Sequence, residues 1–379
     1  MERIKRDDNR VDIAKLKEED ISGDDLTGGY IFRLDKGEDD GWQSEFDFFG
    51  SDGRFPFYHF YYPDEADIQE VQAEYISSYM HDFEEAAVSD DFRNRQGRHY
   101  TEYINLRSFV DHFILSELSK NVDAYRLSSY FHKRKDSNGG RVHLGPVWDY
   151  NLSFGNADFC NTQDVEEWLY YGCVGNSPSW WDNFLQNDNT FRDALGCRYS
   201  ELRSSFMRTD NMLRTIESWV TELDEAKDRN YEQWDILGTY IWPNADFFSW
   251  AVTYEVLIDN YKNWIANRLV WLDENMPSSG IDCEQYDDPE FEVSPITSTS
   301  EDYNSNVLTI FPNPTNGSVF INSKESIEQI IILDMTGRVS YSAEDITNGN
   351  RLDLDLSKGQ YIVQCKTSDS VISKRLVIN

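Results

Sequence analysis

The sequence predicts an α+β region followed by a small all-β sandwich, with an acidic linker between them. Apolar and polar residues alternate between residues 26 and 62, and helical spacing dominates further along the chain, which is the pattern of an α+β region. Short alternating segments with turn signals occupy residues 306–379, as expected of a β-sandwich. These patterns divide the 379 residues into the regions 1–276, 277–305 and 306–379.

The first strands and the first long helix are separated by a change of period. Apolar and polar residues alternate in LTGGYIFRLDKG and in FPFYHFYYP, which ends at Pro63, so both segments are predicted to be strands of a hairpin. Beyond Pro63, apolar residues recur every three or four positions, which predicts an amphipathic helix from Asp67 to Ala87. The apolar positions of this helix are Ile68, Val71, Tyr75, Tyr79, Phe83 and Ala86.

A second helix, a strand pair and a long helical region follow. Residues 109–118 have helical spacing, and this helix is predicted to end near Lys120 and Asn121. Two strands are predicted in AYRLSSYFHK and RVHLGPVWDY, joined by the polar turn KDSNGG. Helical spacing returns in residues 180–275, with a break at Trp242-Pro243-Asn244. One predicted helical run contains Leu213, Ile216, Trp219, Leu223 and Ala226.

The composition changes after Met276. Pro, Ser, Thr, Asp and Glu dominate residues 277–305 and the periodicity disappears, so this segment is predicted to be a linker. The strands of the tail are predicted in LTIFPNP, SVFIN, QIIILDMTGRVS, RLDLDL, GQYIVQC and ISKRLVI.

Charge and apolar content limit the classes of partner. The chain carries 69 acidic and 35 basic residues, for a formal net charge of -34, and such a surface repels phosphate backbones, so we expect no nucleic-acid partner. The acidic surface is consistent with simple solvation, or with attraction of divalent cations. No run of about 18 apolar residues occurs, so no transmembrane segment is predicted.

Cysteine and histidine spacing points away from a zinc enzyme. The five cysteines show no CxxC pair, and an oxidised loop between Cys160 and Cys173 is compatible with a location outside the cytoplasm. The histidines show no i,i+4 pair on a helix, so we expect them to pack or to lie on the surface. They include His59, His81, His112, His132 and His143.

Three polar residues follow predicted elements in an order that suits phosphoryl transfer. Asp123 follows the second helix, and Asp149 and Asn151 lie in WDYN at the predicted end of the second strand of the pair. Phosphoryl transfer needs one carboxylate to orient the acceptor hydroxyl and another to hold Mg²⁺ against the nucleotide phosphates. Asp123 could take the first role, and Asp149 with Asn151 the second, because Mg²⁺ favours a few oxygen ligands plus water. The alternative is ordinary turn chemistry.

The same residues carry a resemblance to a known family. The core of the CotH family, spore-coat-type atypical protein kinases with a kinase-like fold, is similar to SFVDHFILSELSKNVDAYRLSSYFHKRKDSNGGRVHLGPVWDYNLSFGNADF. The resemblance extends over residues 1–276 through EDISGDDLTGGYIFRLDKG, FYYPDEADIQEVQAEYISSYMHDFEEA, RNYEQWDILGTYIWPN and NWIANRLVWLDENM.

The resemblance implies phosphorylation of Ser or Thr residues on surface proteins, with ATP and a divalent metal, Mg²⁺ or Mn²⁺. By motif, Asp123 matches the catalytic Asp of the family's Asn-x-Asp segment, and Asp149 matches the metal-binding Asp that follows Trp. Asn151 stands where family members carry Asp or Asn. The resemblance therefore implies that Asp123 is catalytic and that Asp149 and Asn151 bind the metal and ATP.

The chain departs from the family pattern in two ways. Related sequences often carry a Lys where FYYP places Tyr61, so the phosphate contact is unassigned, and Lys5 and Arg126 are either phosphate contacts or surface cations. In the family, a substantial lobe precedes the segment that corresponds to ERIKRDDNRVDI. These residues also lack the apolar core of a signal peptide. We therefore expect an incomplete amino-terminal lobe beside a helical carboxy-terminal lobe.

Glu84 and Glu85 stand where a kinase pairs a Glu with its Lys, and without that Lys we expect both to be solvated charges.

Residues 306–379 resemble the carboxy-terminal sorting domain of the type IX (Por) secretion system of Bacteroidota-like bacteria. The matching pieces are FPNPTNG, LDMTGRV, LDLS, GQYI and KRLV. The resemblance implies contact with the secretion machinery, export across the outer membrane and attachment to the cell surface. The alternative for this Ig-like sandwich is an unrelated carbohydrate-binding or adhesion module.

Two functions stay open at this level. One is a secreted CotH-type protein kinase that transfers the γ-phosphate of ATP to Ser or Thr of surface or extracellular proteins. The other is a catalytically inactive, surface-displayed structural or glycan-binding protein with a kinase-like shell. Trp180, Trp181, Trp234, Trp242 and Trp250 are predicted to pack in the helical core, although they could instead form a platform for stacking sugars.

Overall fold

The computed structural model divides the chain into two compact units, residues 1–292 and 293–379. In the first unit the structure describes residues 3–37, 40–51, 53–173, 177–245, 250–278, 280–283 and 286. In the second unit it describes residues 308–311, 313, 315, 317–323, 327–334, 338–346, 351–366 and 371–378. Most of the predicted linker 277–305 lies outside the described residues, as do parts of the motifs FPNPTNG and LDMTGRV.

A five-stranded antiparallel sheet forms the β part of the first unit. The order across the sheet is β2-β3-β1-β4-β5. Aromatic side chains cover one face, where the rings of Phe32 and Phe131 stack with centroids 5.2 Å apart. The strands are β1 (Tyr30–Leu34), β2 (Gly41–Gln43), β3 (Phe57–Tyr62), β4 (Ser129–Lys133) and β5 (Val142–Leu144).

Helices contain more of the described residues of the first unit than strands do. They are α1 (Gly23–Leu26), α2 (Glu70–Val88), α3 (Leu106–Ser119), α4 (Leu169–Gly172), α5 (Ser179–Asn187), α6 (Asn189–Ser204), α7 (Thr209–Glu222), α8 (Asp224–Gln233) and α9 (Tyr254–Asn275). Short 3₁₀ turns occur at Tyr100–Glu102 and Asp136–Asn138. Among the described residues, no helix combines the length and apolar content that a membrane span requires.

The two helices that flank the sheet have defined starts. At α2, the Gln69 side chain accepts from the third helical N–H, while the Gln72 side chain accepts from the Gln69 N–H at 3.1 Å. At α3, the Asn105 side chain accepts from the Ser108 N–H at 2.9 Å. The caps therefore set where each helix begins. The buried face of α2 contains Ile76, Met80, Phe83, Ala86 and Ala87.

Two predicted boundaries shift in the structure. The helix predicted from Asp67 begins at Glu70 because the capping pair precedes it. The strand predicted from Ala124 begins at Ser129, because the preceding residues form consecutive turns closed by backbone hydrogen bonds such as Leu127 N–H to Asp123 O. The loop that carries Asp123 is longer than predicted as a result.

The other two corrections concern the ends of elements. β5 ends at Leu144, so Asp149 lies in a loop and not at the end of a strand. The helical run predicted through Leu223 consists of α7 and α8, which meet at that residue. Ile216 is buried and Leu213 packs against the core, whereas Trp219 and Leu223 are exposed, so the apolar spacing marks a core face only in the first part of this run.

One end of the sheet brings four chain segments together. Leu34, the last residue of β1, pairs with Tyr58 near the start of β3 and with Ser129 at the start of β4. Leu144, the last residue of β5, pairs with Phe131 in β4. Four segments therefore leave the sheet at the same end: those that follow β1 and β5 and those that precede β3 and β4. We call this end the site end. The loops that carry Asp123 and Asp149 both begin or finish there.

Two disulfides tie loops to helices in the first unit. Cys160 and Cys173 are bonded, which confirms the oxidised loop that the sequence allowed. A second disulfide joins Cys197 in α6 to Cys283, which follows α9, and the sequence spacing did not predict it. Cys365 in the second unit is buried and has a free thiol.

The second unit is all β, with two antiparallel sheets that share one hydrophobic core. One sheet has the order β10-β7-β6 and the other β12-β11-β8-β9. Ile321 of β7 and Ile332 of β8 belong to this shared core, so the sheets cover each other's apolar faces. The strands are β6 (Leu308–Phe311), β7 (Ser318–Ser323), β8 (Ile327–Asp334), β9 (Val339–Ile346), β10 (Arg351–Asp353), β11 (Gly359–Lys366) and β12 (Val371–Ile378).

Candidate active site

Asp123 lies in the turn that follows α3. The helix ends where Lys120 takes a left-handed backbone conformation, with φ at 44°. The N–H of Asn121 then donates to the carbonyl of Ser116 at 3.2 Å, and the N–H of Asp123 donates to Asn121 Oδ1 at 3.4 Å. The Leu127 N–H donates to the Asp123 carbonyl at 2.8 Å. These bonds define the turn, in which the Asp123 side chain is half-buried.

The side chain of Lys120 fixes the start of this turn. Its buried Nζ donates to the carbonyls of Asn161, Asp164 and Glu166 at 2.8, 2.9 and 2.7 Å. Burial, followed by the positive charge of Arg268, lowers the pKa of Lys120 to about 8. The three carbonyls belong to the loop closed by the disulfide Cys160–Cys173, so that loop holds the end of α3 in place.

A buried ion pair strengthens the same region. Arg268 of α9 donates to the carbonyls of Glu117, Val165 and Glu167 at 2.9, 2.8 and 2.8 Å. Its Nη2 lies 3.3 Å from Glu117 Oε2, and both side chains are fully buried. The Glu117 carboxylate also accepts from the Tyr125 hydroxyl at 2.8 Å. Helix α3, the loop and α9 are thereby joined immediately before the Asp123 turn.

Backbone hydrogen bonds join the Asp149 loop to the Asp123 turn. The Val122 N–H donates to the carbonyl of Leu152 at 3.2 Å, and the Phe154 N–H donates to the carbonyl of Ser119. Asp149 itself has a φ of 60°, a left-handed conformation that is unfavourable for a residue with a side chain. Aspartate tolerates this conformation better than most other residues, and Tyr125 and Phe154 in the same two loops also adopt it.

The charges around Asp123 show that the two aspartates are close in space. Burial is the main cause of the raised pKa of Asp123. The positive charges of Lys36 and Arg126 oppose this shift, while the negative charges of Asp149 and Asp35 add to it. The structure therefore brings Asp123 and Asp149 within electrostatic range of each other, at the site end of the sheet.

The oxygen donors present suit a small hard cation. Asn151 is exposed, two residues after Asp149, and its carbonyl accepts from Asn156 Nδ2 at 3.0 Å. In the part of the chain that the structure describes, no three His, Cys, Asp or Glu side chains are grouped as a metal site. A nucleotide-bound Mg²⁺ does not need such a group, because it takes one or two carboxylates, water and phosphate oxygens. The donor chemistry of Asp149 and Asn151 thus fits the predicted metal.

The sequence of the first unit matches a known protein family. Residues 1–272 match the family model described as CotH kinase protein. The chain belongs to the CotH kinase family. Membership implies the use of ATP and suggests protein kinase activity for this CotH region. No curated protein matches the chain.

The tail matches a second family model. Residues 309–379 match the model described as a secretion system C-terminal sorting domain. A sorting domain of this kind indicates secretion or surface attachment through the type IX system, and it implies contact with the secretion machinery. The CotH protein is therefore directed out of the cell.

The structure also places the cations that the sequence analysis considered. Arg126 lies close enough to Asp123 for each charge to shift the pKa of the other, whereas Lys5 is exposed in the amino-terminal segment. Lys36 of the CotH region was missed by the sequence analysis. The sequence feature that could have indicated it is its position two residues after β1. The end of β1 lies beside the start of β4, at the site end. At Tyr61, the hydroxyl donates to the carbonyl of Ile4 at 3.1 Å.

Glu84 of the CotH region is not a solvated charge, contrary to expectation. Its carboxylate is buried in α2 and accepts from the Tyr58 hydroxyl and from Ser44 Oγ, both at 2.8 Å. Burial raises the pKa of Glu84 to about 7, and these hydrogen bonds oppose part of the shift. Glu85 forms an ion pair with Arg95, with Nε 2.8 Å from Oε1. The sequence placed both acids on one helix but could not show which of them is buried.

Glu84→Gln should stabilise the CotH region at neutral pH. The pKa of Glu84 is higher in the folded state than in the unfolded state, so the folded state binds the proton more tightly. This proton binding contributes its full stability below the unfolded-state pKa of 4.5, and the contribution is lost as the pH rises to about 7. The shift corresponds to roughly 3 kcal/mol. Urea unfolding should therefore give equal stabilities near pH 4.5 and a more stable Glu84→Gln variant at pH 8. Glu74→Gln, on the exposed face of α2, is the control, and an equal change in both variants would contradict the assignment.

The tryptophans divide into two groups. Trp180 and Trp181 are buried in the helical core, which confirms the packing prediction for this pair. For Trp234, Trp242 and Trp250 that prediction is wrong, because their side chains are 59%, 73% and 73% exposed. Their spacing resembles that of core residues, but they lie in the segment between α8 and α9 and at its edges.

A cleft of about 440 Å³ lies beside the β4–β5 turn, at the opposite end of the sheet from the site end. The buried Lys133 Nζ donates to the Thr27 carbonyl at 2.6 Å and to Asp136 Oδ1 at 2.9 Å, and it lies 4.5 Å from the Tyr79 ring centroid. The CotH chain itself therefore neutralises this cation. The cleft contains neither of the predicted aspartates, and we do not assign phosphoryl transfer to it. Its lining includes Tyr75, Tyr79, Arg98, Tyr103 and Gly140.

Proposed function

We propose that this chain is a secreted CotH-type protein kinase that transfers the γ-phosphate of ATP to Ser or Thr side chains of surface or extracellular proteins. The observation that supports this proposal most directly is the joining of the Asp123 turn and the Asp149 loop by backbone hydrogen bonds. Phosphoryl transfer needs an acceptor-orienting carboxylate and a metal-binding carboxylate at fixed positions relative to each other. The sorting tail is consistent with substrates outside the cell.

The side chains divide the chemistry between them. Asp123 accepts the proton of the acceptor hydroxyl at a carboxylate oxygen and orients that hydroxyl for in-line attack. Its raised pKa makes it a better base than an ordinary aspartate. Asp149 would hold Mg²⁺ or Mn²⁺ through its carboxylate, with the side-chain oxygen of Asn151 as a neutral ligand. When bound, the metal nucleotide supplies the phosphoryl group and part of the charge neutralisation.

The test is calorimetric titration of ATP with Mg²⁺ into the full chain. We expect Asp149→Ala to weaken binding by about tenfold or more, because it removes the only carboxylate assigned to the metal. Asp12→Ala is the control, since Asp12 is an exposed acid that pairs with Arg134 and is not part of the proposed site. Equal affinities of the wild type and Asp149→Ala would refute the metal assignment.

A second function is favoured by one specific observation. Trp234, Trp242 and Trp250 expose large aromatic faces, and exposed aromatic surface is common where a protein binds a partner or stacks on sugar rings. This observation supports the alternative of a surface-displayed glycan-binding or structural protein. This alternative would be favoured by two results together: the wild-type chain does not bind ATP with Mg²⁺ in the same titration, and it binds to an insoluble polysaccharide.

A further inference from the structure

Three unpaired cations occur at the site end of a strongly acidic chain. The sequence has 69 acidic and only 35 basic residues, so an ion-pair partner is easy to find on most of the surface. Within the described residues, however, the charged atoms of Lys36, Arg54 and Arg126 have no hydrogen bond and no ion pair. These three side chains therefore remain available to an anion from outside the chain.

The register of the sheet explains why the three cations are close. Lys36 follows the end of β1, Arg54 precedes β3, and Arg126 precedes β4. These three strand ends are neighbours, because Leu34 pairs with both Tyr58 and Ser129. The electrostatic effects agree with this placement. Lys36 and Arg126 oppose the rise in the pKa of Asp123 that burial causes, and the pKa of Arg126 is lowered by burial and, to a smaller extent, by the positive charge of Arg54.

Arg126 is the most informative of the three cations. It lies three residues after Asp123 in the same turn, and its side chain is half-buried. Its Nε is buried and has no hydrogen-bond partner in the described part of the chain. A buried donor without a partner has lost its hydration and gained no hydrogen bond in exchange, so native proteins rarely keep one without a use. Asp123 is near enough to stabilise the guanidinium charge, yet the two side chains form no ion pair.

We propose that Arg126 and Lys36, supported by Arg54, form the subsite that receives the phosphoryl group during its transfer next to Asp123. This inference deepens the proposed function and rests on it for the identity of the anion. A guanidinium offers two parallel N–H groups to two phosphate oxygens, whereas an ammonium acts as a point charge.

The subsite fits a balanced transfer step. The acceptor oxygen forms a bond to the γ-phosphorus, the bond from that phosphorus to the bridging oxygen of ADP breaks, and ADP keeps the electron pair. The hydroxyl proton passes to a carboxylate oxygen of Asp123. During this step negative charge spreads over the three outer phosphate oxygens, and cations held in place beforehand stabilise it without reorganisation.

The test uses the triphosphate without its nucleoside or metal. Sodium tripolyphosphate is titrated calorimetrically into the full chain in EDTA at low ionic strength, where charge interactions are least screened. We expect Arg126→Gln to weaken binding by about tenfold and Lys36→Gln to weaken it several-fold. Lys36 is exposed and its side chain makes no bond in the described residues, so Lys36→Gln leaves folding unchanged. Arg134→Gln is the control, because Arg134 pairs with Asp12 on another part of the surface.

The outcomes separate this inference from the proposed function. Absence of tripolyphosphate binding by the wild type, or wild-type affinity in both Arg126→Gln and Lys36→Gln, would overturn the subsite. Asp149→Ala should keep or increase tripolyphosphate affinity, because it removes a nearby negative charge, although it weakens Mg²⁺-dependent ATP binding. If tripolyphosphate binding depends on Arg126 while ATP with Mg²⁺ does not bind, the anion subsite stands and the kinase proposal fails.

Discussion

Asp123→Asn should reduce the rate of phosphotransfer by about 10²- to 10⁴-fold and leave Mg²⁺-dependent ATP binding close to the wild-type value. Asparagine keeps the size of the side chain but cannot accept the proton of the acceptor hydroxyl. The backbone bonds of the turn, from Asp123 N–H to Asn121 and from Leu127 N–H to Asp123, do not involve the carboxylate. The turn should therefore keep its conformation in the variant.

The measurement is transfer of labelled phosphate from ATP to a Ser- and Thr-containing protein, or to the chain itself, under single-turnover conditions. Asp164→Asn is the matched control, because it makes the same change in charge at an exposed aspartate on the neighbouring loop. The wild-type rate should fall on the acid side of the pH profile, at a higher pH than an ordinary aspartate would give, because the pKa of Asp123 is raised. Full phosphotransfer by Asp123→Asn would rule out Asp123 as the base.

Arg268→Met should destabilise the first unit by about 3–5 kcal/mol, the usual cost of removing one partner of a buried ion pair. Glu117 would keep a fully buried carboxylate without its cation. The carbonyls of Val165 and Glu167 would lose a charged donor at 2.8 Å. Methionine fills much of the volume, so the loss reports the electrostatic and hydrogen-bond contribution more than a cavity.

Urea unfolding followed by tryptophan fluorescence measures this effect in the full chain. All 11 tryptophans lie before residue 272, so the signal reports the first unit without a contribution from the tail. The matched control is Arg229→Met, which breaks an exposed ion pair with Glu225 on α8 and should change the free energy of unfolding by less than about 0.5 kcal/mol. Equal stabilities of Arg268→Met and Arg229→Met would show that the buried pair contributes little.

Local sequence patterns predicted most elements near the site. The spacing of apolar residues located α3, and the polar turn KDSNGG located the connection between β4 and β5. The boundaries shifted where hydrogen bonds of side chains or turns compete with apolar spacing, as at Gln69 before α2 and in the turns before Ser129. The period of a sequence reports which face of an element is apolar, but it does not report caps.

Burial was less predictable than secondary structure. Glu84 and Glu85 are adjacent acids with similar sequence surroundings, yet only Glu84 lies among the hydroxyls of Ser44 and Tyr58. Trp234 and Trp250 resemble core residues in sequence but are exposed. Burial depends on what packs against a position from elsewhere in the chain, and a single sequence does not contain that information in its local spacing.

The sequence by itself determined the class of each region and located Asp123 and Asp149 through their motifs, because motifs and amphipathic periods are local properties. Only the tertiary structure decided that Lys36 and Arg126 lie near Asp123, with Arg54 near Arg126, and that Arg268 neutralises Glu117 across 151 residues. Antiparallel register determines which strand ends are neighbours, and register follows from pairing between segments far apart in the chain. The aspartates could therefore be found from their motifs. Lys36 and Arg54 required the assembled sheet, and only the sheet could choose between the two roles that the sequence left open for Arg126.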